Sequence, residues 1–395
     1  MTDPSPSGPR ATGHGPRATG HGPRATGHGP RSFRTLGIET SCDETAVAVL
    51  DADGSVRVNL VSSQVAAHAP YLGVVPEIAA RHHLEALPRL LAAADGTVGL
   101  DSVELLAVTR GPGLIGSLLV GTSFAAAWAW ARGLPLVGVD HLEGHLVSPF
   151  VTLDGSPARP TPDRALVLVV SGGHSSYFLL EGGDPRPLNR TRDDAAGEIF
   201  DKLSAALGLG YPGGPVVDRL ADRGDPNAFR FTSPRIKDPR GALDFSFSGL
   251  KSAAIRLAAG LGPLPLADPA APPQAVLDLL ASFRRTVSDW LLAPLDELAE
   301  RLGPSVVATS GGVAGNSELR RRLQAWGRSA GIEVVLPPLA LTTDNAAMIA
   351  RAGQLRAARG ALDDPLRLRA YPRAPWKAGA DARGRPTFPP LTAGS

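Results

Sequence analysis

The chain has 395 residues, 43% of them hydrophobic, which suits two ordinary soluble domains with a sizeable core. No stretch reaches the roughly 18 apolar residues of a membrane span, and residues 1–34 hold no apolar segment of the kind a signal peptide needs. The net charge of +2 is uneven: five arginines against Asp3 give residues 1–34 a charge of +4, which leaves −2 for the rest and argues against a strongly basic body. With a single cysteine, Cys42, no intramolecular disulfide can form, and the expected compartment is the cytoplasm.

Residues 8–31 repeat Gly-Pro-Arg-Ala-Thr-Gly-His every seven residues, with copies starting at Gly8, Gly15 and Gly22 and a fourth that breaks off after Arg31. Glycine and proline in each copy oppose helix and strand, so the segment reads as a disordered tail. An RNA-binding arm and a histidine metal tract are the sharper alternatives. Order begins near Arg34. Strands are expected at Thr35–Ile38 and Ala46–Leu50, around the polar turn Glu39-Thr40-Ser41-Cys42-Asp43-Glu44. A helix follows at Pro76–Ala94, a strand at Val103–Val108, a small-residue helix at Ser117–Arg132 and a strand at Leu134–Val139.

The Pro-rich stretch Val151–Asp163 reads as a hinge. The apolar run Ala165–Val170 is a buried strand that stops at Ser171-Gly172-Gly173. Helices are expected around 196–207, 215–223, 248–259, 273–302 and 316–330, and a strand at Val306–Thr309 running into Ser310-Gly311-Gly312. A last helix is expected from Asp344, as N-cap, to about Arg359, and the end of the chain from Trp376 reads as disordered. Strands alternating with helices favour α/β architecture, with ligands bound beyond the carboxyl ends of the strands.

Four glycine turns, Gly111-Pro112-Gly113, Ser171-Gly172-Gly173, Gly213-Gly214 and Ser310-Gly311-Gly312, let backbone N–H groups approach a phosphate. None is a P-loop or a dinucleotide fingerprint; together they point to a nucleotide cleft. In His141-Leu142-Glu143-Gly144-His145 the histidines stand at i and i+4, on one helix face, where they can grip one metal ion. Glu143 sits one position away from the general base of a zincin protease. A third ligand must come from elsewhere, and Asp344 is one candidate among many acids. Asp193, Asp194, Glu198 and Asp201 suit ribose hydroxyls, a metal or a solvated helix face. Ser248 is expected to cap a helix that Phe247 staples, with Lys251 either at a phosphate or simply exposed. Cys42 has no identifiable base partner and reads as inert.

Gly37-Ile38-Glu39-Thr40-Ser41-Cys42-Asp43-Glu44-Thr45, with His141-Leu142-Glu143-Gly144-His145, Val170-Ser171-Gly172-Gly173-His174, the acids of 193–198, Tyr211-Pro212-Gly213-Gly214-Pro215 and Thr343-Asp344-Asn345, resembles the TsaD family in order over roughly residues 34–360. That family consists of tRNA N6-adenosine threonylcarbamoyltransferases, some once described as O-sialoglycoprotein endopeptidases. The resemblance implies the actin/Hsp70/sugar-kinase (ASKHA) fold, two related lobes with a nucleotide cleft between them. It implies a tail over 1–33, a first lobe over 34–150 with the helix at 344–360 returning to it, a second lobe over 151–343 and a disordered end over 376–395. Metal ligands would be His141, His145 and Asp344, with iron(II) ahead of zinc. Substrate contacts would be Val169, Val170, Ser171, Gly172, Gly173, Asp201, Gly214, Asp218 and Asn316. The implied reaction moves the threonylcarbamoyl group of threonylcarbamoyl-AMP to N6 of adenosine-37 in tRNAs that read codons beginning with A, and releases AMP. No general base stands out, Asp43 and Glu44 being the nearest candidates. Implied partners are tRNA, a TsaB-like paralogue and a TsaE-like ATPase, with no membrane. The competing readings are a metalloprotease, a nucleotide-driven binding module on the same fold, and a sugar kinase.

Overall fold

The computed structural model describes residues 32–232 and 243–373, with the backbone pairs 379–380 and 386–387. The heptad repeat and both of its sharper readings lie outside the described residues, and beyond Trp376 only the antiparallel pairing of Gly379–Ala380 with Pro386–Thr387 is described.

Strands β1 (Thr35–Glu39), β2 (Glu44–Leu50), β3 (Val56–Ser63), β4 (Leu105–Gly111) and β5 (Leu136–Asp140) form one sheet in the order β3-β2-β1-β4-β5. Strands β6 (Arg164–Val170), β7 (Ser175–Glu181), β8 (Asp184–Pro187), β9 (Val306–Ser310) and β10 (Glu333–Val335) form a second in the order β10-β9-β6-β7-β8. Both sheets pair their first three strands antiparallel and add the fourth and fifth parallel. One topology is thus used twice. This is the duplicated core of the actin/Hsp70/sugar-kinase fold.

The helices are α1 (Val65–His68), α2 (Pro76–Val98), α3 (Ile115–Arg132), α4 (His141–Val147), α5 (Ala196–Leu207), α6 (Gly213–Ala221), α7 (Ser248–Leu261), α8 (Gln274–Leu292), α9 (Leu295–Leu302), α10 (Ser317–Ala330) and α11 (Ala346–Ala358). None of them is long and apolar enough to cross a membrane. Because side chains alternate along a strand, each sheet has two apolar faces. On the first sheet, Leu36, Ile38, Val47 and Val49 meet Leu87 and Leu91 of α2 and Ala125 and Ala129 of α3. On its other face Ala46, Ala48, Ala107 and Val139 meet α11. Gly37 permits that approach, since a Cβ there would lie 2.3 Å from the Ala346 carbonyl oxygen. On the second sheet, Leu166, Leu168 and Val170 pack under the helices from α5 to α10, while Val167, Val169 and Phe178 cover Leu142, Leu146 and Phe150 of α4 and its extension. Helices α4 and α11 therefore lie back to back between the sheets, close enough that a Cβ on Gly144 would touch Ile349.

Several expected elements need correction. The helix expected over 273–302 is two helices, because Pro294, without an N–H, ends α8 and opens α9. Asp344 does not cap the last helix. Asn345 does, its Oδ1 accepting from Met348 N at 3.0 Å, which frees Asp344 for other contacts. Strands β3, β7, β8 and β10 were not foreseen. The β7–β8 hairpin turns on Gly182-Gly183, both at positive φ, a two-glycine signal that was there to read.

Candidate metal centre and substrate cleft

Helix α4 starts where β5 ends, and Asp140 caps it through a hydrogen bond from Leu142 N to its Oδ1 (2.9 Å). The i, i+4 spacing sets the His141 and His145 rings 4.7 Å apart on one face. Asp344 comes from the turn before α11, and its Oδ1 lies 3.4 Å from His141 Nε2 and 3.2 Å from His145 Nε2. Two ligands bound about 2.0–2.1 Å from one tetrahedral ion stand roughly 3.3 Å apart, so these separations suit a shared cation. Among the described residues this trio converges to within 4.8 Å. His145 Nε2 is buried and has no hydrogen-bond partner; Asp344 is near it but outside hydrogen-bond geometry. An orphaned buried nitrogen beside a carboxylate is what a metal ligand looks like before the metal is added.

The other ring nitrogens are held from behind. His141 Nδ1 donates to Glu39 Oε2 (3.1 Å) and faces Ser41 Oγ at 3.2 Å. Glu39 is itself fully buried, accepting from Thr109 Oγ1 (2.6 Å) and Ser41 N (2.5 Å). His145 Nδ1 faces Ser310 Oγ at 3.2 Å. Both imidazoles thus turn Nε2 toward Asp344. Burial opposes charge on His141, but the Asp344 and Glu39 carboxylates outweigh it and hold its pKa well above the usual value. Burial lowers the pKa of His145, keeping its free lone pair available. His174 is pushed down to about 4 by burial and then by His141 and His145. Sequence reasoning missed Glu39, Ser41 and Ser310 as partners of the ligands, and Thr109 behind Glu39. The polar ends of otherwise apolar strands were the available signal.

The turn after β1 carries Cys42, Asp43 and Glu44. Burial, followed by Asp43 and Asp344, raises the Cys42 thiol, which agrees with its inert reading. Burial, then Asp344 and Asp43, pushes the Glu44 carboxyl up to about 10. The turn is anchored by buried His83. Cys42 O can only accept, so His83 Nε2 donates to it (3.0 Å), and Nδ1 accepts from Thr45 Oγ1 (2.8 Å).

On the second lobe, Val169 and Val170 end β6 fully buried, and Ser171-Gly172-Gly173 turn the chain into β7. A Cβ on Gly172, Gly173, Gly214 or Gly312 would meet nothing within 4 Å, so the backbone at these four positions is open to a ligand. Asp201 accepts from Gly213 N (2.7 Å) and so fixes the start of α6 next to Gly214. Asp218 and Asn316 are brought together: Asn316 Nδ2 donates to Asp218 Oδ1 (3.0 Å), while Asn316 Oδ1 caps α10 through Leu319 N (3.0 Å). Arg284, not foreseen, pairs with Asp218 (2.9 Å) and Asp222 (2.7 Å) from within α8. An arginine on the apolar stripe of a helix was the missed signal.

Other acids have structural work. Asp193 accepts from Phe247 N (2.7 Å) and Ser246 Oγ (2.6 Å). Asp194 takes Ser248 Oγ (2.5 Å) and Lys251 Nζ (2.6 Å). Ser248 therefore does not cap α7 with its side chain, and Lys251 is engaged by a carboxylate rather than poised at a phosphate. Glu198 pairs with Lys202 (2.6 Å) on an exposed face. Glu143 is held by Arg356 (3.0 Å), which occupies the carboxylate a protease would need as a base.

The model of the family described as TsaD, tRNA N6-adenosine threonylcarbamoyltransferase, matches residues 55–351. The tRNA N6-adenosine threonylcarbamoyltransferase of Sorangium cellulosum is 46% identical over 359 residues, covering 88% of this chain and 99% of that one. The enzymes of that name from Pelobacter propionicus (48% identity, 80% and 90% covered) and Thermotoga neapolitana (45%, 86% and 98%) are similar. Among solved structures, HypF from T. kodakarensis aligns with a TM-score of 0.54 at 16% identity, over 84% of this chain and 48% of that one, a likeness of fold alone. The match of family model and relatives, spanning both lobes and all three residues of the metal trio, assigns the chain to the TsaD family of tRNA N6-adenosine threonylcarbamoyltransferases.

Proposed function

We propose that this chain forms N6-threonylcarbamoyladenosine at position 37 of tRNAs reading codons that begin with A, taking the group from threonylcarbamoyl-AMP and releasing AMP. The observation that carries the reading is the convergence of His141, His145 and Asp344 around the orphaned His145 Nε2, in a chain whose glycine turns leave backbone open at Gly172, Gly173, Gly214 and Gly312. Two imidazoles and a carboxylate suit iron(II), with zinc as the alternative. A bound cation would supply Lewis-acid polarisation of the threonylcarbamoyl carbonyl.

The chain's own residues do the rest. The first lobe (34–150, with 344–360) and the second (151–343) enclose the substrate. Backbone N–H groups of Ser171-Gly172-Gly173 and of Gly214, with the end of β6 at Val169 and Val170, receive the AMP moiety. Asp201, Asp218 and Asn316 orient its ribose and base. The adenine amine is a poor nucleophile and reacts because it is held in line with the carbamoyl carbon. A TsaB-like paralogue and a TsaE-like ATPase are the proposed partners. Exposed Ile115, Leu119 and Trp130 on α3, with Leu84 on α2, support a protein-covered face there. Work on tRNA sets the proposed compartment as the cytoplasm.

Mass spectrometry of tRNA nucleosides tests the reading, in cells depleted of the protein and re-supplied with wild type or Asp344→Ala. Threonylcarbamoyladenosine should vanish on depletion and return only with wild type. Its persistence at the normal level would reject the transferase.

A further inference from the structure

Beyond α11 the chain continues as a strap, residues 363–373, which lies outside the span matched by the family model. It starts beside Leu136 at the amino end of β5, runs along that strand, and ends at the carboxyl ends of β4 and β5, the side of the sheet from which α4 departs. Asp363 clips its start: its N donates to Leu136 O (2.8 Å), its Oδ2 accepts from Gly138 N (2.9 Å), and Arg110 pairs with its Oδ1 (3.2 Å). Tyr371 clips its end: its N donates to Arg110 O (2.9 Å), and the Arg110 guanidinium sits over its ring at 5.4 Å.

Two glycines in the sheet make room for the strap. A Cβ on Gly138 would lie 2.6 Å from Leu368 Cδ1, and one on Gly111, at φ +150, would lie 2.2 Å from Tyr371 O and 2.4 Å from its Cδ2. The Tyr371 hydroxyl then donates to Asp140 Oδ2 at 2.6 Å. The other oxygen of that carboxylate is the N-cap of α4. Helix α4 has only seven residues and carries both histidines of the metal trio. A helix so short has little stiffness of its own, so its end contacts set where its side chains point.

We infer that the 363–373 strap positions the metal-binding helix, with Tyr371 as a positioning residue acting through Asp140 on His141 and His145. This rests on the metal-centre reading above. The tyrosine touches no ligand atom; its hydroxyl fixes the rotamer of the capping carboxylate and, through the cap, the angle at which the two Nε2 atoms face Asp344. Groups that support ligands in this way commonly contribute about 10–100-fold to metal affinity.

The test is titration of the metal-free full-length chain with cobalt(II), followed by its visible ligand-field spectrum and by chelator competition, for wild type, Tyr371→Phe and Asp363→Asn. Tyr371→Phe keeps the ring under Arg110 and removes only the hydroxyl. It should weaken cobalt binding about tenfold and alter the ligand-field bands, while thermal unfolding of the metal-free chain stays close to wild type. Asp363→Asn, which loosens the strap without touching Asp140, should shift affinity in the same direction. An affinity within twofold of wild type and an unchanged spectrum for both variants would overturn the inference. A fall in affinity matched by an equal fall in the stability of the metal-free chain would also overturn it, since the role would then be general folding. If wild type itself binds no cobalt, the metal-centre reading falls first and this inference falls with it.

Discussion

The two lobes share a topology but place different chemistry at equivalent points. The turn between the first two strands is Thr40-Ser41-Cys42-Asp43 in the first lobe and Ser171-Gly172-Gly173-His174 in the second. The fourth strand ends in Gly111-Pro112-Gly113 on one side and Ser310-Gly311-Gly312 on the other. The first lobe therefore faces the cleft with carboxylates and the buried Glu39 behind His141. The second has a hydroxyl rather than a carboxylate, Ser310, behind His145, and glycine backbone at its strand ends. Under the proposed function the first lobe holds the cation and the second receives the anion. In that proposal threonylcarbamoyl-AMP, a mixed anhydride with a carbonyl to polarise and a phosphate to bind, spans the two.

Substitutions on each side can break that division of labour. The largest effect is expected from Asp344→Ala, which removes the ligand shared by both histidines. Transfer should fall by about three orders of magnitude or more, the several kcal/mol a Lewis acid contributes, with an unchanged circular dichroism spectrum. Prolonged chelation of wild type should reproduce the loss, and a chelated enzyme at full rate would remove the cation from the first lobe's role. Arg284→Ala should act on the second lobe's stability. It strands the Asp218 carboxylate, and urea unfolding should show a loss of about 3–5 kcal/mol; less than about 1 would mean that Asn316 Nδ2 and the Ser317 N–H and hydroxyl, which also donate to Asp218, suffice to hold it. Glu39→Gln retains shape but loses charge, and should weaken metal binding by about 10–100-fold. Ser310→Ala, on the second lobe, should cost about 1 kcal/mol of the same affinity, near fivefold. If the last two effects are equal by calorimetry, the asymmetry between the lobes is not electrostatic. Lys202→Ala removes the half-exposed lysine from Glu198 and from Asp194, which keeps Lys251, and should change stability by under about 1 kcal/mol.

Much of this was legible along the chain. The strands Thr35–Ile38, Ala165–Val170 and Val306–Thr309 were found to within a residue or so of their ends, because each is an apolar run closed by a polar or glycine turn. The i, i+4 histidines were legible because helix periodicity is local. The break at Pro294 and the cap at Asn345 were misread at the level of single residues, where neighbouring candidates compete on equal terms. The double use of one strand order was implied by the family resemblance alone and not by the strand patterns, since β3, β8 and β10 carry weak patterns and their pairing is a contact between distant segments.

Residue types and their spacing, which depend only on near neighbours in the chain, were sufficient to place two imidazoles on one face and glycines at strand ends. Which acid would join them was decided only when α4 and α11, about two hundred residues apart in sequence, were pressed together between the sheets. The same holds for Glu39 behind His141, Arg284 beside Asp218 and Tyr371 on Asp140. Each is a buried polar group whose partner is chosen by packing, because in a low-dielectric interior a charge or donor must find whatever complement the folded backbone brings within reach.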